Sequence, residues 1–238
     1  MGNMSFGKII LNIFIASLTI FILGYAFNMY FAIGYLLILA VHEAGHCAAA
    51  KHLKIKVSFG GFTPFGAYVI HEKIENCREN AIVAISGPVF GSALGLAFYW
   101  IYYFTYDNTF QVLSFAAVII NLLNLIPVKP LDGGHIAEAT SPKLCYLGLP
   151  FLIYMFMSEE RLKSKIITGI ILIIGIYQTY NFTKKHKTDS YFSIDENSRK
   201  KFIAAYVLLL ISLSLSAAFF CSTLSLDELL ASISNFRQ

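Results

Sequence analysis

The sequence predicts an all-α polytopic membrane protein: six or seven transmembrane helices with a small β-hairpin at the cytoplasmic membrane face. Three observations carry this prediction. Of the 238 residues, 57% are hydrophobic and 13% charged, against about 25% charged in a soluble domain. The apolar residues are gathered into separate blocks long enough to cross a bilayer, and mean hydropathy reaches +0.65. One stretch rich in Gly and Pro interrupts the blocks with β-branched and aromatic residues, the composition of short paired strands.

The blocks follow one another from the N-terminus. Residues 8–28 form an apolar run behind a single lysine. The run is too long for a signal-peptide core and lacks a small-x-small cleavage site after it, so residues 1–30 are expected to be an uncleaved first span. "MGNMSF" has Phe6 where a myristoylation signal needs Ser or Thr. The uncharged "NMY" leads into a second span over 31–50. The polar segment 51–80 follows, and within it "VSFGGFTPFGAYVI" (57–70) is the predicted hairpin. Open strand edges are not tolerated in lipid, which places the hairpin in the interface or along a cavity. Apolar runs at 81–105 and 110–128 flank the turn "YDNT". Beyond them, 145–157 is apolar but short, while 166–182 and 202–222 are longer. The predicted units are a first helix (1–30), a core (31–135), additional helices (136–222) and a short C-terminal tail (223–238).

Orientation follows from Lys and Arg in short loops. Lys51, Lys54, Lys56, Lys73 and Arg78 mark 51–80 as cytoplasmic, whereas "NMY" and "YDNT" carry no such charge. The chain then returns to the cytoplasmic side near Lys129. The basic 183–201 segment joins it there if 145–157, extended upstream to Ile136, also crosses. The net charge of +4 therefore reads as a positive-inside signal, and no nucleic-acid partner is expected. Cys47, Cys77, Cys145 and Cys221 show no CxxC spacing and no disulfide framework.

Inside the second apolar block stands His42-Glu43-Ala44-Gly45-His46. Ionisable groups within a span cost about 2.5–3.5 kcal/mol each, so three in five residues demand compensation. On a helix His42 and His46 lie one turn apart on one face, able to reach a single Zn²⁺, and Glu43 can serve a metal-activated water as general base. A catalytic zinc needs a third protein ligand. The residues offer two candidates in "NLLNLIPVKPLDGGH" (121–135): Asp132 and His135. Pro127 and Pro130 break the preceding helix, and Gly133 and Gly134 allow a tight backbone beside the acid.

With these pieces assembled, the chain resembles the site-2 protease family of intramembrane zinc metalloproteases. The resemblance rests on "HEAGH", "GGFTPFGAYV", "SGPVFG" and "NLLNLIPVKPLDGG", in that order, across residues 31–135. It implies that His42, His46 and Asp132 bind one zinc ion and that Glu43 activates water. It implies cleavage of a single-span membrane protein or membrane peptide in or next to its transmembrane segment, in some members as regulated intramembrane proteolysis. The hairpin, with Gly61 and Phe62, would pair with the unwound substrate by β-augmentation. Asn124, at the family's motif position, would hold the substrate backbone or the oxyanion, with Asn121 as a further substrate contact; for both, a hydrogen bond between helices is the plainer role. The resemblance also implies a bacterial or archaeal cell membrane, with the site toward the cytoplasm. The sequence departs from the family pattern twice, with Gly91 where "GPxxN" ends in Asn and Lys129 where a second Pro is common.

Three further features are read structurally. Gly87, Gly91 and Gly95 make a small-xxx-small stripe for close helix packing. "FYWIYYF" (98–104) suits an interfacial belt, and the basic 183–201 segment suits anionic lipid headgroups. A silent metal-binding pseudoprotease or a divalent-ion transporter are the competing classes. Glu43 speaks against the first, and the lack of a second acidic cluster on the outer side speaks against the second.

Overall fold

A computed structural model describes residues 6–63, 66–160, 162–185 and 190–223. The chain divides into two compact units. One holds the chain up to Glu72, Ser86–Leu122 and the chain from Ile211; the other holds Lys73–Ile85 and Leu123–Leu210.

The first unit contains α1 (Phe6–Ala26), α2 (Met29–His52), a hairpin of β1 (Val57–Thr63) and β2 (Gly66–His71), most of α3 (Cys77–Thr105) and nearly all of α4 (Asn108–Asn124). The latter half of α8 (Glu196–Thr223) completes it. Helix α2 starts where Asn28 caps it, its side chain accepting from Phe31 N at 2.7 Å. Phe31 and Ile38 of α2 then pack with Phe98 of α3 and Leu113 and Ala117 of α4 in one apolar core. Gly45 permits the α2–α3 approach, since a Cβ there would stand 2.8 Å from the Ser86 carbonyl carbon. The hairpin pairs antiparallel from Val57↔His71 to Thr63↔Gly66, with an irregularity between Phe59 and Gly61. Gly61 has φ +142°, a conformation that favours glycine, which is why the strand bends there. Asn12 of α1 donates to Gly60 O at 3.4 Å and so ties β1 to α1.

The second unit contains the start of α3, α5 (Asp132–Thr140), a 3-10 turn (Pro142–Tyr146), α6 (Gly148–Ser158), α7 (Leu162–Lys185) and the start of α8. One small core joins Cys77, Ala81, Ala139 and Tyr191; another joins Ile126, Val128 and Leu152. The Tyr206 hydroxyl donates to Leu125 O at 2.5 Å and fixes α8 on the turn that follows α4.

Among the described residues, α2, α3 and α8 are long and apolar enough to cross a membrane. Three shorter apolar helical stretches lie at Ile10–Ala26, Asn108–Asn124 and Gly148–Ser158. Two expectations change. The apolar run 110–128 does not stay helical: α4 stops at Asn124, and turns closed by Ile126 N to Leu123 O and Leu131 N to Val128 O lead into α5. The residue before a proline avoids the helical region, and Pro127 and Pro130 impose that restriction here twice. The stretch from Ile136 to 157 is not one helix either, because the chain breaks at Ser141 and Leu147. Helix α6 has 11 residues. At about 1.5 Å per residue it covers roughly half of a 30 Å hydrocarbon core.

Candidate metal centre

Helical periodicity places His42, Glu43 and His46 on the inward side of α2, with 4%, 8% and 6% of their surface exposed. The two imidazoles meet edge to face, and their Nε2 atoms stand 3.2 Å apart. The tautomer of His42 follows from its neighbours. Asn121 of α4 donates through Nδ2 to Ala117 O at 2.7 Å, so its Oδ1 is the atom facing His42 Nδ1 at 2.8 Å. His42 Nδ1 must therefore donate, and Nε2 carries the lone pair. Metal-ligating histidines are held in this way, by an acceptor on the nitrogen that does not bind the metal.

The spacing suits a tetrahedral ion. Two Zn–N bonds of about 2.05 Å at the tetrahedral angle put their nitrogens roughly 3.3 Å apart. Gly87 of α3 keeps the space in front of this pair clear. A Cβ at Gly87 would collide with the His46 ring and lie 2.9 Å from His42 Nε2. The stripe read as packing glycines thus has a second use: Gly87 faces the imidazoles and Gly91 faces Asn121, whose Cγ would be 2.8 Å from a Cβ there. Gly91, the first departure from the family pattern, leaves room for the amide that orients His42.

In the second unit Asp132 is the first residue of α5 and is partly exposed. A carboxylate in a helix's first turn is favoured by the N-terminal dipole. Gly133 and Gly134 let that turn press on backbone: a Cβ at Gly134 would lie 2.6 Å from the Val128 carbonyl carbon, and one at Gly133 would collide with Leu125 O. Asp132 therefore opens a new helix beyond the break at Pro127 and Pro130. His135, the rival ligand, is engaged elsewhere. Its Nδ1 lies 3.3 Å from Lys129 Nζ and 2.8 Å from Asn80 Nδ2. An ammonium can only donate, so Nδ1 accepts and Nε2 holds the proton. Neither ring nitrogen is left to bind a metal.

Other predicted residues fall as follows. Asn121 is fully buried with its amide hydrogen-bonded to His42 and Ala117, the contact between helices that is its plainer role. Asn124 closes α4 and is half-buried. Gly61 is buried at the bend of β1, and Phe62 pairs with Ala67 through its backbone while its side chain lies outside the described residues. Part of the basic 183–201 segment, residues 186–189, also lies outside them.

The model of Peptidase family M50 matches residues 30–107 and 104–147, a range that includes HEAGH and Asp132. Stage IV sporulation protein FB of Bacillus subtilis is 32% identical over 146 residues, 60% of this chain and 48% of that protein. A zinc metalloprotease of Methanocaldococcus jannaschii is 28% identical over 142 residues, 58% of this chain and 39% of that protein. The chain thus spans half or less of the length of these relatives. The solved site-2 protease from Methanocaldococcus jannaschii aligns with a TM-score of 0.46 at 18% identity, covering 79% of this chain and 89% of that one. The family match takes in the motif-bearing core, three of the described helices are long and apolar enough to cross a membrane, and the chain is an integral membrane protein of Peptidase family M50, the site-2 protease family of metalloproteases.

Proposed function

We propose that the protein is a zinc-dependent intramembrane endopeptidase. His42, His46 and Asp132 together hold one zinc ion, and Glu43 is the general base. The observation that carries this reading is the pair of buried Nε2 atoms 3.2 Å apart, one with its tautomer fixed by Asn121, next to a buried carboxylate in sequence. Two imidazoles and a carboxylate form the donor set of a catalytic zinc with one position open. When bound, such an ion makes water nucleophilic at neutral pH and polarises the scissile carbonyl.

Glu43 takes a proton from the attacking water and passes it to the leaving amine as the C–N bond breaks. Asn121 holds His42 in the metal-binding tautomer. Asn124 contacts the substrate backbone, and an extended substrate segment adds to the hairpin near Gly61 and Phe62. The substrate is a single-span membrane protein or membrane peptide, locally unwound so that its peptide bond is accessible; release of a regulatory factor is one use of such a cut. Residues 31–135 form the catalytic core, with 1–30 and 136–222 supplying further helices for six or seven crossings. The site faces the cytoplasm of a bacterial or archaeal cell, as the Lys and Arg of 51–80 indicate.

The test uses wild type and Glu43→Gln, purified with zinc and offered single-span substrates. Glu43→Gln should retain zinc and cleave about 10²–10⁴-fold more slowly. Equal cleavage by both, or none by either with any substrate, would sink the protease reading.

A further inference from the structure

A second group of ionisable side chains lies buried outside the proposed metal centre. Lys129 and Glu138 form an ion pair whose side chains are 9% and 0% exposed. The other Glu138 oxygen accepts from the Tyr191 hydroxyl at 2.8 Å and from Asn80 Nδ2 at 3.3 Å. The two Asn80 Nδ2 hydrogens are shared among this oxygen, Tyr191 Oη at 3.0 Å and His135 Nδ1, which Lys129 meets as well. Five polar side chains from the start of α3, the turn before α5, α5 itself and the segment before α8 thus close on one another.

This network clasps a helix that cannot hold itself. Helix α5 has nine residues, and Leu131 at its N-cap supplies no side-chain hydrogen bond. Isolated helices shorter than about 12–15 residues are marginal. The ion pair joins the residue three before Asp132 to the last turn of α5, bridging the helix from its entry to its end. A buried ion pair contributes little net stability compared with an apolar pair of similar volume. Its distinctive effect is geometric: it admits one arrangement of the turn and the helix. Lys129 is also the second departure from the family pattern.

We propose that the Lys129–Glu138 ion pair is a positioning device that sets the first turn of α5, and with it the Asp132 carboxylate, for metal binding. The inference rests on the reading of Asp132 as a ligand. Lys129 and Glu138 act through Asp132 and touch no reacting atom.

The test measures the zinc dissociation constant of the full chain in detergent by competition with a chelator, per folded molecule. Wild type is compared with Lys129→Met, Lys129→Arg, Glu138→Gln and Asp132→Asn. Lys129→Met and Glu138→Gln should bind zinc about 10–100-fold more weakly, the loss typical of partners that support a metal ligand. Lys129→Arg, which keeps the cation, should recover most of that loss, as a merely volume-filling role would not require. Glu138→Gln is nearly isosteric and keeps one acceptor oxygen for Asn80 and Tyr191, so it carries the test should Lys129→Met fail to fold. Wild-type zinc affinity in Glu138→Gln, or equal losses in Lys129→Arg and Lys129→Met, would overturn the positioning role. Wild-type affinity in Asp132→Asn would instead overturn the ligand assignment itself.

Discussion

Asn121→Ala removes two buried hydrogen bonds, one to His42 Nδ1 and one to Ala117 O, and the first is the one that touches the imidazole pair. The amide Oδ1 accepts from His42 Nδ1 at 2.8 Å in a site with no exposed surface on Asn121. Losing it leaves a buried N–H without its acceptor, a cost of about 1–3 kcal/mol. It also frees the His42 proton to move to Nε2, the atom proposed to bind zinc. Loss of a partner that orients a metal-bound histidine weakens metal binding about 10–100-fold, or roughly 1.4–2.7 kcal/mol. Zinc affinity in Asn121→Ala should therefore fall by at least tenfold, about 1.4 kcal/mol. Chelator competition on the purified protein measures this, with circular dichroism to show that the helices persist. Asn121→Asp retains an acceptor for Nδ1–H and should keep zinc affinity within about threefold of wild type. Zinc binding by Asn121→Ala within about twofold of wild type would refute the orienting role.

Two further perturbations test the surroundings of the site and the fold. Gly87→Ala inserts a methyl against the His46 ring and within 2.9 Å of His42 Nε2. It should destabilise the protein by about 1–3 kcal/mol and displace both imidazoles, lowering zinc content in a still helical protein; full zinc occupancy in Gly87→Ala would contradict that placement. At the start of α8, hydrogen bonding from the Ser198 hydroxyl and then from Ser198 N, at 2.8 Å, holds the Asp195 carboxyl below the usual aspartate range. A depressed acid contributes stability above its unfolded pKa and loses it as pH falls through the lower folded value. Asp195→Ala should therefore melt earlier than wild type at neutral pH, and the gap should close at acid pH. A gap unchanged at that pH would contradict the cap.

What was legible in the sequence is what local spacing determines. HEAGH on an apolar helix needs only the helical repeat to bring His42 and His46 together, and the hairpin is written in Gly60, Gly61, Pro64 and Gly66 between β-branched and aromatic residues. What was hidden depends on contacts across long sequence distances. Helix α5 opens with Asp-Gly-Gly, a poor helix start by propensity, and is helical because Gly133 and Gly134 fit against the backbone of the preceding turn. Lys129 reads as a topological charge, yet Glu138 neutralises it inside the protein. Burial and the adjacent Glu138 carboxylate push the Tyr191 hydroxyl well above its ordinary range, so it serves as a donor in that cluster; no spacing in the sequence links residues 80, 138 and 191. Asn121 read as a hydrogen bond between helices or a substrate contact, and no spacing names its partner, which lies 79 residues away. The signal that could have found it was Gly91: a glycine where an amide is expected leaves space for one from another helix.

The central claim is that the α2 histidines and Asp132 hold a zinc ion. X-ray absorption at the zinc edge of the purified, zinc-loaded protein tests it most directly. The account predicts one zinc per chain in a nitrogen and oxygen shell at about 2.0–2.2 Å, with the multiple scattering of two imidazoles and no sulfur. His42→Ala and His46→Ala should each remove one imidazole signature, and Asp132→Ala should lower zinc content without changing the imidazole count of any zinc that remains. A sulfur shell, or an imidazole count that ignores both histidine substitutions, would contradict it.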